Sequence, residues 1–170
     1  MEGSKNALVL FSGGLDSTTS LAIAKSEGYN ITALTINYKQ RHDYEIIASK
    51  KILANYSDIN HIIFDIDLTK IGGSALTDTN LEVPRKESDG IPITYVPARN
   101  TIFLSIAASY AEKLKIKDIY IGVNAIDYSG YPDCRPDFIA SFEKMINLGT
   151  KSGSQGSLFK IIAPLISKTK

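Results

Sequence analysis

The chain of 170 residues has a single cysteine, Cys134, and almost no net charge. One cysteine excludes an internal disulfide framework and a zinc site built mainly of cysteines. The formal charge is only +1, so no global field favours nucleic acid or an anionic membrane surface as a partner. The sequence shows no charged-then-apolar leader and no apolar run of membrane length. These absences predict a cytoplasmic protein with no direct nucleic-acid or membrane partner, and its small-molecule partners must be argued from individual sites.

The pattern of apolar residues predicts an α/β fold in one domain over 1–170. Predicted strands alternate with predicted helices, which implies right-handed crossovers and a parallel sheet with helices on both faces. The predicted strands are 7–11, 31–36, 61–66 and 118–123, and the predicted helices begin at 15, cover 43–56 and 101–114, and begin again near 137. A Gly/Ser/Lys-rich stretch, 149–157, is predicted to be flexible, and 159–166 is predicted to add an edge strand.

The segment LVLFSGGLDSTT, residues 8–19, predicts an anion site. An apolar strand ends abruptly at Ser12-Gly13-Gly14, and a segment with helical periodicity follows. A glycine pair lets the backbone approach a ligand closely, and the start of a helix adds roughly half a positive charge. The side chains that can bond phosphate oxygens here are those of Ser12, Ser17, Thr18 and Thr19. Asp16 can hold a magnesium ion or fix the loop by accepting N–H groups.

Two common nucleotide motifs are absent from this segment. No lysine follows the glycines, which excludes the P-loop kinase pattern, and G-x-G-x-x-G does not match. An ordinary strand-to-helix turn with Ser or Asp as N-cap is the simpler alternative. The hexapeptide Ser-Gly-Gly-x-Asp-Ser resembles the signature of the PP-loop ATP pyrophosphatases. That resemblance implies that the loop holds the pyrophosphate of ATP while AMP passes to an acceptor oxygen.

Two further regions carry candidate binding residues. The polar, irregular stretch 68–95 is interpreted either as a flap over a substrate or as disorder. It leads into Arg99, just before a predicted helix, where the guanidinium can reach phosphate. The alternative for Arg99 is a solvated side chain beside Asn100 as N-cap.

The loop after the predicted strand 118–123 starts where α/β folds bind ligands. Tyr128 and Tyr131 offer flat faces for stacking a purine-like ring, and Asp127 and Asp133 offer carboxylates for a guanine-type N–H edge. The alternative is a turn-rich surface loop whose aspartates cap the helix near 137.

Taken together, four segments resemble the QueC family, the 7-cyano-7-deazaguanine synthases. They are Ser12 to Ser17, Tyr38 to His42, Val96 to Asn100 and Gly122 to Pro136. The last segment contains the highly specific sequence Asp-Tyr-Ser-Gly-Tyr-Pro-Asp-Cys-Arg-Pro. The resemblance implies conversion of 7-carboxy-7-deazaguanine, ammonia and ATP to the amide and then the nitrile, with Mg²⁺, in queuosine or archaeosine biosynthesis. It also implies a homodimer. A QueC-like transferase that joins the activated carboxylate to a protein amine would share these motifs, and a non-catalytic nucleotide-binding module is a third hypothesis.

The resemblance also implies roles for individual residues. Asp16 and Arg99 are expected to be catalytic. The expected ATP-binding residues are Phe11, Ser12, Gly13, Gly14, Leu15, Asp16, Ser17, Thr18, Thr19, Leu34 and Ile36. The expected substrate-binding residues are Gln40, Arg41, His42, Asn100, Asn124, Asp127, Tyr128, Tyr131, Asp133 and Arg135. The family continues past Ala163-Pro164-Leu165 into a tail whose cysteine cluster binds Zn²⁺; the sequence stops at Lys170 without it, by truncation or natural loss, so no metal ligand is assigned.

Overall fold

The computed structural model describes residues 5–40, 44–78, 91–124 and 130–168. Its five strands form one parallel sheet in the order β3-β2-β1-β4-β5. The strands are β1 Asn6–Leu10, β2 Asn30–Asn37, β3 Asn60–Asp65, β4 Asp118–Tyr120 and β5 Lys160–Ile162. The helices are α1 Leu15–Ser26, α2 Tyr44–Leu53, α3 Arg99–Leu114, α4 Pro136–Gly149 and the single turn α5 Lys151–Ser154, with a 3₁₀ turn at Pro132–Cys134. None of these helices is long and apolar enough to cross a membrane within the part of the chain described.

The central strand β1 is buried on both faces because its side chains alternate between two cores. Leu8 and Leu10 pack in one core with the apolar faces of α3 and α4. Ala7 and Val9 pack in the other core, which includes Leu21 of α1 and residues at the end of α2. The predicted parallel sheet with helices on both faces is therefore confirmed.

The prediction that 149–157 is flexible is wrong, because part of this stretch is helical. Thr150 precedes α5 and its hydroxyl accepts the N–H of Gly153 at 3.2 Å. Glu112 of α3 accepts the N–H of Ser152 at 2.7 Å. A cap and a contact from a distant helix thus order a stretch whose composition indicates flexibility.

Two boundaries shift where the chain nears the carboxyl end of the sheet. Helix α3 begins at Arg99 rather than at 101, and β4 ends at Tyr120 rather than at 123. Beyond β4, Gly122 lies so close to the start of α1 that a Cβ there would be 2.8 Å from the nitrogen of Ser17. The end of β4 is therefore packed directly under the first turn of α1.

The long connection between β3 and α3 is described at both of its ends. Ser74 and Ala75 are fully buried, and the N–H of Ala75 donates to the carbonyl of Ile93 at 3.0 Å. Residues 79–90, in the middle of the predicted flap, lie outside the described residues. The two ends are thus held together, and the covering role stays a prediction.

Candidate active site

A cleft of about 420 Å³ opens where the carboxyl ends of β1, β2 and β4 meet. This is the edge at which parallel α/β sheets bind ligands, and the volume is within the range of small-molecule sites. The loop between β1 and α1 forms one wall, and the start of α3 with the loop around Tyr131 forms another. The cleft therefore brings together the two regions that the sequence marks as functional.

The loop between β1 and α1 and the first turn of α1 line the cleft with Ser12, Gly14, Leu15, Asp16 and Ser17. Gly14 is the N-cap of α1, in extended conformation, and no side chain caps the helix. The first N–H groups of a helix have no partner within it and lie at its positive end, so an anion is favoured there. The N-cap is thus a glycine, not the Ser or Asp of the ordinary-turn alternative.

Hydroxyl groups hold this loop in shape. The Ser12 hydroxyl accepts the N–H of Gly14 at 3.2 Å, and the Ser17 hydroxyl donates to the carbonyl of Gly14 at 3.0 Å. The two hydroxyl oxygens are 3.2 Å apart. These contacts within the loop fix its shape, and a preorganised loop lowers the entropic cost of binding.

Below the loop, a buried threonine fixes the end of β1. The hydroxyl of Thr35 lies 2.6 Å from the carbonyl oxygen of Phe11 and 2.8 Å from Nε2 of His61. Because the hydroxyl has one hydrogen and the carbonyl only accepts, His61 must donate through Nε2–H. Burial, together with nearby Lys50, lowers the pKa of His61. His61 therefore acts as a neutral support on edge strand β3.

Asp16, predicted to bind ATP, and Asn124, predicted to bind the substrate, contact each other. The Asn124 amide donates to Oδ2 of Asp16 at 3.0 Å, and Asn124 is almost fully buried. Asp16 lies on the cleft wall in the first turn of α1. The segment after β4 thus orients the carboxylate of the first loop.

Arg99 lies on the opposite wall among aromatic side chains. Its guanidinium donates a hydrogen bond to the hydroxyl of Tyr38 and lies 6.0 Å from the ring of Phe103. Burial alone would lower the pKa of Arg99, but the favourable interactions with Tyr38, Asp133 and Cys134 outweigh it and the pKa is raised. Burial raises the pKa of Tyr38. A permanently charged guanidinium therefore faces the cleft, unlike the solvated side chain of the alternative hypothesis.

Most residues predicted to bind ATP lie on the cleft wall. They are Phe11, Ser12, Gly14, Leu15, Asp16, Ser17, Leu34 and Ile36. Three others do not lie on it. Gly13 faces α2, the hydroxyl of Thr19 donates back to the carbonyl of Leu15 at 2.9 Å, and the hydroxyl of Thr18 is buried without a partner in the described part of the chain.

The residues predicted to bind the substrate differ in their position relative to the cleft wall. Asn100 and Tyr131 lie on the cleft wall. Asn124 and Asp133 are buried behind it and bond to residues of the wall. Gln40 is half-buried and Arg135 is exposed at the N-cap of α4, both away from the wall. Arg41, His42, Asp127 and Tyr128 lie outside the described residues.

Several residues of the wall received no role from the sequence, although some of them lie in the segments that resemble the family. These residues are Tyr38, Glu45, Phe103, Ile121, Gly122, Val123 and Cys134. Tyr38 follows β2 directly, as Ile121 follows β4, and this position at a strand end was the available signal. Phe103 lies one helical turn after Arg99, so the spacing also pointed to it.

The cleft fits magnesium better than zinc. Mg²⁺ bound with a nucleotide needs only one or two protein carboxylates besides phosphate and water, and Asp16 and Glu45 both lie on the wall. Across 5–40, 44–78, 91–124 and 130–168, no group of three or more His, Cys, Asp or Glu side chains is placed to hold a metal ion. The described residues therefore do not fit a zinc site.

Two solved structures share the fold. A predicted subunit of tRNA methyltransferase from Methanocaldococcus jannaschii aligns with a TM-score of 0.58 and 21% identity, covering 95% of this chain and 68% of that one. A 4-thiouridine synthetase in complex with RNA and bound ATP aligns with a TM-score of 0.53 and 21% identity, covering 95% of this chain and 37% of that one. At this identity the likeness supports the architecture alone.

Sequence relatives are much closer. The 7-cyano-7-deazaguanine synthase of Cellvibrio japonicus is 55% identical over 166 residues, covering 98% of this chain and 74% of the relative. The synthase of Stutzerimonas stutzeri is 52% identical with the same coverage. The family model described as queuosine biosynthesis protein QueC matches residues 6–170. With relatives more than half identical over nearly its whole length, the chain belongs to the QueC family.

Proposed function

We propose that the protein is a 7-cyano-7-deazaguanine synthase that uses ATP to convert 7-carboxy-7-deazaguanine and ammonia to the nitrile. One observation carries this proposal: an anion-binding helix start, Arg99 and the aromatic loop residue Tyr131 line a single cleft in a member of the QueC family. The names of the relatives favour this synthase over the transferase hypothesis.

The chemistry explains why ATP is needed twice. A carboxylate resists attack by ammonia, so one of its oxygens first attacks the α-phosphorus and pyrophosphate leaves. Ammonia then displaces AMP, which carries that oxygen away, and an amide results. Adenylation of the amide oxygen and loss of a second AMP give the nitrile. Both substrate oxygens therefore end on AMP, and no covalent bond to the protein is required.

The protein's part is to bind, orient and stabilise charge. The N–H groups at the start of α1, with Ser12 and Ser17, would hold the departing pyrophosphate. Arg99 would stabilise the charge that develops at the α-phosphate. The apolar ends of β1 and β2, with Leu34 and Ile36 on the wall, would contact adenine. Mg²⁺ bound by Asp16 would supply Lewis-acid charge neutralisation on the phosphates.

Tyr131 is the best-placed candidate for contact with the deazaguanine ring. It lies on the cleft wall, its hydroxyl is 3.0 Å from that of Thr94, and its ring is 6.2 Å from the ring of Tyr95. A ring fixed in this way presents a rigid face for stacking. Asn100 lies on the same wall, but its side-chain NH₂ donates to the carbonyl of Asp133 and to the sulfur of Cys134. Roles for Gln40 and Arg135, like those of the predicted ligands outside the described residues, stay predictions.

The decisive experiment follows the substrate oxygens. The protein is incubated with ATP, ammonium and 7-carboxy-7-deazaguanine carrying ¹⁸O in both carboxyl positions, and the products are measured by mass spectrometry. We expect 7-cyano-7-deazaguanine and two AMP per nitrile, each with one ¹⁸O atom. AMP without the label would contradict attack by the carboxylate oxygen.

The same mixture separates the other hypotheses. A transferase would give a partner protein heavier by the deazaguanine acyl group and no nitrile. A nucleotide-binding module would bind ATP without releasing pyrophosphate. A homodimer is proposed as well, and light scattering of the purified protein tests it. A cytoplasmic location stays a prediction.

Arg99→Lys is expected to lower kcat by about 10–100-fold, with little change in the KM for ATP. Lysine keeps the charge but loses the planar fork and one charge-assisted hydrogen bond, worth about 1.5–3 kcal/mol. Pyrophosphate release is the measurement. Tyr38→Phe is the comparison variant: it removes only the hydroxyl that accepts from Arg99 and keeps the ring that packs 5.4 Å from Phe103, so its kcat shows how much of the loss is due to that one hydrogen bond. An unchanged kcat in Arg99→Lys would exclude this role.

A further inference from the structure

Helix α3 begins in an unfavourable backbone conformation. Its N-cap, Ala98, is left-handed with φ 53°, and no side chain of its own segment caps the helix. A residue with a Cβ adopts this conformation only where its surroundings enforce it. The next residue is Arg99, which lies on the cleft wall.

Bonds from outside the helix hold this turn. The hydroxyl of Tyr95 accepts the N–H of Ala98 at 3.0 Å. Oδ2 of Asp133 accepts the N–H of Asn100 at 2.9 Å, so a carboxylate from a distant loop supplies the cap that α3 lacks. A negative charge at a helix N-terminus is favourable.

The bonding is reciprocal. The side-chain amide of Asn100 donates to the carbonyl of Asp133 and lies 3.1 Å from both that oxygen and the sulfur of Cys134. Asn100, Asp133 and Cys134 are 6%, 5% and 3% exposed. Water therefore cannot replace these partners without rearrangement, and the Asp133 carboxylate is directed to the helix rather than to solvent.

We infer that Asp133 is a positioning residue: it caps α3, holds the strained turn at Ala98 and thereby aims Arg99 at the cleft. This inference rests on the proposed function for the role of Arg99. It differs from the sequence-based expectation that the Asp133 carboxylate recognises the deazaguanine edge. It also connects the two halves of the site, because Tyr131, two residues before Asp133, lies on the cleft wall.

The two roles for Asp133 predict different kinetics. Loss of a substrate contact raises the KM for 7-carboxy-7-deazaguanine, whereas misplacement of Arg99 lowers kcat. For Asp133→Ala we expect kcat to fall about 10–100-fold and that KM to change less than about threefold. Asp133→Asn keeps an oxygen that can accept the N–H of Asn100, and we expect it to restore at least half of the loss on a logarithmic scale.

A second measurement needs no activity. Hydrogen exchange at the Asn100 amide is expected to accelerate at least about tenfold in Asp133→Ala, and less in Asp133→Asn, because only the former removes the acceptor. If Asp133→Ala does not fold, Tyr95→Phe tests the same turn by removing the acceptor for Ala98 and is expected to lower kcat about threefold or more. A wild-type protein that makes no nitrile would refute the proposed function and leave the exchange test valid.

The inference is overturned by either of two results. The first is an Asn100 amide whose exchange is the same in Asp133→Ala as in wild type. The second is a KM for 7-carboxy-7-deazaguanine that rises tenfold or more in Asp133→Ala with kcat unchanged, which would assign Asp133 to substrate recognition.

Discussion

Replacing Asp16 with asparagine is expected to lower pyrophosphate release by about 10²–10³-fold and to leave the fold intact. Asp16 lies in the first turn of α1 on the cleft wall, where its carboxylate would bind Mg²⁺ beside the phosphates of ATP. Asparagine keeps an oxygen to accept the Asn124 amide, a bond of 3.0 Å in the wild type. The charge is removed while the neighbouring contact stays.

The matched control is Asp137→Asn. Asp137 also lies in the first turn of a helix, α4, but it is exposed and away from the cleft. Each variant loses about 0.3–1 kcal/mol of favourable interaction with its helix dipole. Equal stability of the two, measured by urea denaturation, would show that a lower rate in Asp16→Asn comes from the site. Full pyrophosphate release by Asp16→Asn would refute the assignment of the first loop.

Asp16→Ala is a less informative variant. Alanine would remove an acceptor from the Asn124 amide, which is almost fully buried, and loss of a buried partner costs about 1–3 kcal/mol. A lower rate in Asp16→Ala would then mix lost chemistry with a displaced segment after β4. Comparison of the two variants separates these effects, because only Asp16→Ala is expected to unfold at lower urea concentration.

The part of the site formed by the loop between β1 and α1 could be predicted because its sequence signal is local. A buried strand, two glycines and a helix start within twelve residues determine where the loop lies and which atoms it presents, whatever packs around it. The order of strands was not needed for this. The same is true of the parallel sheet, whose evidence is the alternation of strands and helices along the chain.

Other parts of the site depend on contacts between distant segments. Aspartate suits both recognition of an N–H edge and capping of a helix, so residue type left the direction of the Asp133 carboxylate undetermined. Only the packing of Asp133 against Asn100, 33 residues earlier, directs it to α3. Glu45 joins the wall because α2 packs beside the first loop, and no local pattern indicates that contact.

Gly13→Ala is expected to be strongly destabilising. Gly13 has φ +82°, and a Cβ there would lie 2.5 Å from the backbone nitrogen of Ser49 in α2. The left-handed conformation costs about 1–2 kcal/mol and the steric overlap about 1–3 kcal/mol, so the free energy of unfolding should fall by roughly 2–5 kcal/mol. Because relief of the overlap moves the loop, ATP affinity should fall as well; urea denaturation and titration calorimetry measure the two effects.

Substitutions at two other glycines separate the cost of the left-handed conformation from the cost of the steric overlap. Gly28 has nearly the same φ, +81°, with nothing within 4 Å of a Cβ, so Gly28→Ala should cost only about 1–2 kcal/mol and leave ATP affinity unchanged. Gly122 has the overlap without a positive φ: a Cβ would lie 2.8 Å from the nitrogen of Ser17. Gly122→Ala should therefore weaken ATP binding and lower the free energy of unfolding by about 1–3 kcal/mol. Equal costs for Gly13→Ala and Gly28→Ala would mean that α2 does not press on the loop, and the glycine would then be required for its backbone conformation alone.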